Sequence, residues 1–187
     1  NGTADSPWEI KYPHWLGRSL GKRRLVKNGF TWWNSLNPKP QKFLLEMIKE
    51  VMTKYDVDGV QGDDRLPAMP SEGGYDPYTA ELYRREKGAQ PPEDHLDPEW
   101  LQWRADKLSQ FAETVYHAVK AVKPSCQVSW SPSIFPWSKE NYLQDWIKWL
   151  DGGYADFVIP QVYRYDFESY QAELLKLKRQ IGPELQK

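Results

Sequence analysis

Two periods of apolar residues divide the chain. After about thirty residues with a loop-like pattern, Phe30–Trp33 is a short apolar run that predicts a strand. Asn37 and Pro38 then open a helix as N-cap and first helical residue. Phe43, Met47, Val51 and Met52 follow at helical spacing, and the helix is expected to end near Tyr55. Val57–Asp64 predicts a second strand with two carboxylates at its C-terminal end. A loop rich in Pro, Gly and Ser runs from Arg65 to Tyr75. Asp76-Pro77 opens a short helix that stops at Gly88. Asp97-Pro98 opens a longer one, closed by Pro124, with Trp100, Trp103, Leu108, Phe111, Val115 and Val119 on its predicted buried side. Beyond it come a strand at Gln127–Ser131, a helix from Ser138 to Leu150, a strand at Asp156–Tyr163 and a helix from Glu168 to Ile181.

Short apolar strands alternating with helices predict an α/β fold with a parallel sheet. No Gly-rich phosphate loop follows any of them, which disfavours a dinucleotide-binding domain. The remaining candidate is a (β/α)8 TIM barrel. Such barrels take about 250 residues and rarely fewer than about 200. A chain of 187 residues with four predicted strands is therefore expected to be one domain over residues 1–187, the central part of a barrel or a reduced one. An open parallel sheet leaves edges and one apolar face uncovered, so self-association or a large exposed apolar patch is expected.

Charge narrows the partners. Lys and Arg number 25 against 26 Asp and Glu, and apart from Lys22-Arg23-Arg24 the basic residues are scattered. That argues against nucleic acid, whose phosphates need a concentrated basic surface. No apolar run approaches a membrane span, and Asn1–Trp8 lacks the basic-then-apolar pattern of a leader. A lone Cys126 excludes an internal disulfide, and His14, His95 and His117 are too scattered for a metal site, so no cofactor is expected. The 10 Trp and 11 Tyr outnumber 6 Phe. Flat rings with a polar edge suit surfaces that meet a partner both apolar and wet, as a sugar is.

In a parallel α/β fold, reactive groups gather at the C-terminal ends of strands. By alternation Gln61 and Asp63 share a face, with Asp64 turned away or starting the loop. Asp63 is the candidate acid/base; Asp64 would orient it, tune it through charge repulsion, or take the second role itself. Arg65 stands ready to bind a carboxylate or a sugar hydroxyl. Gln161 and Tyr163 would bind hydroxyls from a facing strand, and Trp130 and Trp137 would stack on sugar rings. Glu72 reads as a solvated surface charge in the long loop, Asp76 as a helix cap, and His117 and Cys126 as structural.

Several of these motifs, in this order, resemble the glycoside-hydrolase-like family 10 of TIM barrels. Tyr55–Asp64 followed by Pro67 is similar to that family's strand-four run Tyr-Asp-Val-Asp-Gly-Ile-His-Phe-Asp-Asp-Tyr, which ends in Tyr-Pro. Trp33, Leu36, Asn37 and Pro38 resemble its Trp-Leu-Asn-Pro entry to the preceding helix. Trp103-Arg104 with Val119–Pro124 resembles its long helix; Ser129, Ser131 and Pro132 resemble its Ser-Pro strand end; Asp156–Tyr163 resembles its Asp-Tyr-Ile-Ser-Pro-Gln-Val-Tyr strand. Gln61 replaces the usual His, Gly62 the usual Phe and Arg65 the usual Tyr. The resemblance implies a barrel glycosidase that hydrolyses a polysaccharide or oligosaccharide in an extracellular or cell-envelope setting. The alternative is a carbohydrate-binding domain without catalysis.

Overall fold

The computed structural model of the chain describes residues 6–182, so residues 1–5, part of the stretch read for a leader, lie outside the described residues. A short helix α1 (Pro7–Lys11) and a 3-10 turn (Pro13–Trp15) lead into a hairpin of β1 (Val26–Lys27) and β2 (Phe30–Thr31). Then follow α2 (Pro38–Lys54), β3 (Gly59–Gly62), α3 (Pro77–Lys87), α4 (Pro98–Val122), β4 (Gln127–Trp130), α5 (Trp137–Tyr142), α6 (Trp146–Asp151), β5 (Phe157–Val158) and α7 (Phe167–Gln180). Strands β3, β4 and β5 form a parallel sheet in that order. This mixed α/β arrangement is compatible with part of an α/β barrel.

The N-terminal third is more structured than its pattern predicts. Asn28 and Gly29 both take positive φ, 54° and 76°, the turn that matches the twist of a two-residue hairpin. Phe30 therefore pairs antiparallel with Lys27, and the run at Phe30–Trp33 does not join the parallel sheet. The parallel sheet has three strands instead of the four expected.

The helix caps form as their residues dictate. The side chains of Asn37, Asp76 and Asp97 accept from the backbone N–H of Lys39, Thr79 and Trp100, with Pro at each first helical position. Gly88 ends α3 at φ 71°. On α4 all six predicted core residues are buried. On α2 the buried stripe is rotated: Leu44, Leu45, Ile48 and Met52 face the core, while Met47 and Val51 are exposed. Packing against α4, which the spacing alone does not specify, selects that face.

The helix expected from Ser138 to Leu150 is broken in two. Leu143 adopts φ 62°, and Gln144 turns inward, fully buried. Its Nε2 donates to the carbonyls of Asp63 and Pro67, both at 3.1 Å, while its own carbonyl accepts from Ser138 Oγ at 3.0 Å. The break thus trades helix continuity for two bonds that hold the loop after β3.

Parity assigns the two faces of the sheet. Gln61 and Ser129 are register partners, and Gln61 Nε2 donates to Ser129 Oγ at 3.1 Å. Val60, Gly62, Val128 and Trp130 lie on the opposite face, toward α4 and α6. Gly62 is required there: a Cβ would sit 2.2 Å from the Leu66 carbonyl and 2.5 Å from the Trp130 ring. Trp130 fills the space beside the position where the family's usual form carries Phe. Gly62→Ala is expected to destabilise the fold by roughly 2–3 kcal/mol, because a backbone carbonyl must move to admit the methyl. Urea unfolding measures it, and an unchanged midpoint would refute the packing argument.

The other face is open. Phe157, Ile159 and Tyr163 are exposed along the last strand and its extension, Tyr163 at 80 %. Helix α7 beyond them buries Leu177 and leaves Phe167, Tyr170, Leu174 and Leu175 exposed.

Candidate functional site at the C-terminal end of the sheet

Strand β3 ends at Gly62, and Asp63, Asp64 and Arg65 begin the loop. Asp63 is exposed, and its Oδ1 accepts the backbone N–H of Arg65 at 2.8 Å, closing a tight turn. Asp64 Oδ2 lies 4.0 Å from Arg65 Nε. The Arg65 guanidinium in turn sits 4.5 Å from the Phe30 ring centroid, a cation–π contact that ties the loop to the hairpin.

Two strands away, Gln161 bridges to the segment after β4. Its N–H donates to the Pro132 carbonyl and its Nε2 to the Ser131 carbonyl, both at 2.8 Å. Its Oε1 accepts from Tyr163 OH at 3.1 Å. Ser131 N–H donates to the Gly62 carbonyl at 2.7 Å, which registers the end of β4 against Asp63. By register Gln61 is level with Ser129 and Phe157, whereas Gln161 is level with Ser133, so Gln161 lies two strands across and four residues further toward the C-terminal end of the sheet.

Trp130 is a correction. It is 2 % exposed, on the helical face, edge-on to Trp149 at 5.5 Å, with Nε1 donating to the Tyr154 carbonyl at 2.8 Å. It cannot stack on a ligand, because its neighbour Ser129 shares the face of Gln61 and alternation sends Trp130 the other way. Trp137 is different: 44 % exposed at the start of α5, and 5.4 Å from the Tyr142 ring. We expect Trp130→Ala to cost roughly 3–5 kcal/mol of stability. Trp137→Ala should leave the melting temperature nearly unchanged while weakening glycan binding. Calorimetric melting and binding titrations of both variants check this; a stable Trp130→Ala, or unaltered binding by Trp137→Ala, would refute the respective assignment.

Around Tyr142 the fold gathers residues that the sequence pattern left unassigned. The Tyr142 hydroxyl accepts from Asn28 Nδ2 at 2.7 Å, and Lys27 Nζ lies 4.8 Å from its ring centroid. Lys27 Nζ also donates to both oxygens of Glu72, at 2.9 and 3.1 Å. Burial pushes the Tyr142 phenol above its usual range, and the negative charges of Glu72 and then Asp64 add to it, so the hydroxyl stays protonated at neutral pH. Asn28-Gly29 was the available signal, since that dipeptide between short apolar runs marks a hairpin.

A cavity of about 320 Å³ opens beside Arg65, walled by Phe30, Trp33, Leu44 and Leu66. A larger one of about 520 Å³ lies between the N-termini of α2 and α3 and touches none of the candidate site residues. Asp76 on its wall spends Oδ1 on capping α3, and burial pushes its carboxyl up. Among the described residues, no group of three or more His, Cys, Asp or Glu side chains could hold a metal ion. No helix among them is long and apolar enough to cross a membrane.

The family model for glycosyl hydrolase-like 10 matches residues 1–186. The chain belongs to the glycosyl hydrolase-like 10 family. Among curated relatives, the glycosyl hydrolase DigH of Escherichia coli (strain K12) is 24 % identical over 170 residues, covering 82 % of this chain and 35 % of that protein. The glycosyl hydrolase YngK of Bacillus subtilis (strain 168) is 25 % identical over 169 residues, covering 82 % and 30 % respectively. The chain thus spans about a third of the length of these family relatives.

Proposed function

We propose that the chain is part of a (β/α)8 barrel domain that hydrolyses glycosidic bonds in a polysaccharide or oligosaccharide, in an extracellular or cell-envelope setting. The observation that carries this reading is Asp63, in a glycosyl hydrolase-like 10 chain, one residue past the C-terminal end of parallel strand β3, whose Gln61 lies on the open face. Glycoside hydrolysis commonly needs one carboxyl group to protonate the leaving oxygen and a second to attack or to activate water. Asp63 takes the acid role, with one oxygen anchored by the Arg65 N–H and the other open. Gln61, Arg65, Gln161, Tyr163 and Trp137 are the proposed sugar contacts. Asp64 orients the pair through Arg65. The uncovered face of β5 and α7 supports a larger barrel or a second copy completing the fold.

A carbohydrate-binding domain is the second reading, favoured by the commitment of Asp63 Oδ1 to a backbone turn. Reducing-end release from a panel of β-linked polysaccharides separates the two. Release supports hydrolysis, and glycan binding without release supports the binding domain.

A further inference from the structure

Helix α2 has a second working face. Lys39, Lys42, Phe43 and Glu46 recur at helical spacing on the side turned away from Leu44, Leu45, Ile48 and Met52, which pack into the core. Tyr12 and Trp15 cover that side, stacked on one another with ring centroids 4.2 Å apart, and Trp15 lies 5.6 Å from the Phe43 ring. Together these residues wall a cavity of about 440 Å³. His14 and Lys39 also border the cavity of about 520 Å³ between the N-termini of α2 and α3, so the two adjoin as one groove along α2.

Each half of the groove has a buried polar atom on its wall that the fold leaves unpaired. Trp15 is 8 % exposed, and its indole N–H has no hydrogen-bond partner among the described residues. Asp76 is 6 % exposed; its Oδ1 accepts the Thr79 N–H at 3.0 Å, while Oδ2 has no partner among the described residues. A buried group without its hydrogen bond is costly, and where it borders an open cavity it points to a ligand that completes the bond. Here one orphan is a donor and the other an acceptor, so the ligand must offer both functions. Pro13, Leu16, Phe43, Pro77 and the Tyr78 ring supply apolar wall around them. The carboxylates of Asp76 and Glu46 interleave with Arg18, Lys39 and Lys42, which suits an uncharged ligand better than an anion. Sugar hydroxyls both donate and accept, and the C–H faces of a sugar ring lie well on apolar and aromatic wall.

We propose that this groove is a second glycan-binding site, apart from the Asp63 end of the sheet, which holds an uncharged stretch of oligosaccharide through the Trp15 indole N–H and Asp76 Oδ2. The inference rests on the glycan reading for its ligand class and takes no residue from the Asp63 site. The Trp15 ring meets Trp33 edge-on at 5.3 Å, and Trp33 walls the cavity beside Arg65. A chain held in the groove is thus kept near the proposed point of cleavage, which raises its effective concentration there.

The test uses the full chain, isotope-labelled at its Trp indole nitrogens and titrated with the uncharged probes cellohexaose, chitohexaose and mannohexaose. The assigned Trp15 indole signal is expected to shift saturably with at least one of them. Asp76→Asn keeps an oxygen to cap α3 and puts an amide where Oδ2 stood. It should weaken that binding by ~10-fold, the equivalent of one hydrogen bond, with little change in melting temperature. A Trp15 signal that none of the three probes moves, or a dissociation constant that Asp76→Asn leaves within twofold, overturns the inference. The Trp137 indole reports separately on the Asp63 end. A titration that moves Trp15 and not Trp137 supports the groove and counts against the contacts proposed near Asp63; one that moves Trp137 and not Trp15 overturns the groove alone.

Discussion

Asp63→Asn is expected to lower hydrolysis by ~10³-fold or more while changing the melting temperature little. The substitution keeps the planar side chain and an oxygen for the Arg65 N–H, the hydrogen bond that the Asp63 side chain accepts within the fold. What it removes is the proton an acid must give to the leaving oxygen. Asp63 is exposed, so no buried contact is lost. The loss should fall on kcat and on kcat/KM together, the sign of an interaction made in the transition state. Asp64→Asn should cost far less, because Asp64 reaches the site only through Arg65 at 4.0 Å. Initial rates of reducing-end release for both variants decide the matter. Full activity in Asp63→Asn would remove it from the mechanism and bring the binding-domain reading forward.

Arg104→Leu is expected to destabilise the fold by roughly 3–5 kcal/mol. Arg104 is fully buried in α4 without a carboxylate partner, and burial lowers its pKa to about 10. It therefore remains charged at neutral pH. The carbonyls of Ser71, Gly73, His95 and Trp100 and the face of the Trp100 ring, 4.4 Å from its Cζ, compensate the desolvation. Leucine would leave those carbonyls buried without their donor. The sign with pH follows: the unfolded chain holds this proton to higher pH than the folded one, so the burial penalty is relieved only as pH rises above about 10. Below that, the contribution of Arg104 is flat. Urea unfolding and protease cleavage within residues 67–76 measure the effect, and a variant that resists both like the wild type would show the loop to be held by other means.

Much of this was legible in local signals. The Asn37-Pro38, Asp76-Pro77 and Asp97-Pro98 pairs mark helix starts by satisfying orphan N–H groups, and that chemistry needs no tertiary context. Alternation along β3 likewise put Gln61 on the face opposite Val60 and Gly62, as its register with Ser129 has it. Trp130 was misread because its direction depends on the register of β4 against β3, which no local pattern encodes. The break at Leu143 was invisible for a similar reason: Gln144 leaves the helix to bond a loop about eighty residues earlier in the chain. Glu72 looked like a surface charge, since only the fold brings Lys27 to it.

The buried loop also bears on how this chain can diverge. Connections between elements are usually where length varies among related proteins. Here the stretch from Pro67 to Asp76 should tolerate insertion as poorly as a central strand, because an added residue would shift carbonyls that Arg104 and neighbouring N–H groups already claim. Freedom to lengthen lies instead after Gly88, where Ala89 and Gln90 are exposed and a Cβ on the glycine would meet nothing within 4 Å. Length change confined to the α3–α4 connection would leave the turn at Asp63 and the buried loop after it undisturbed.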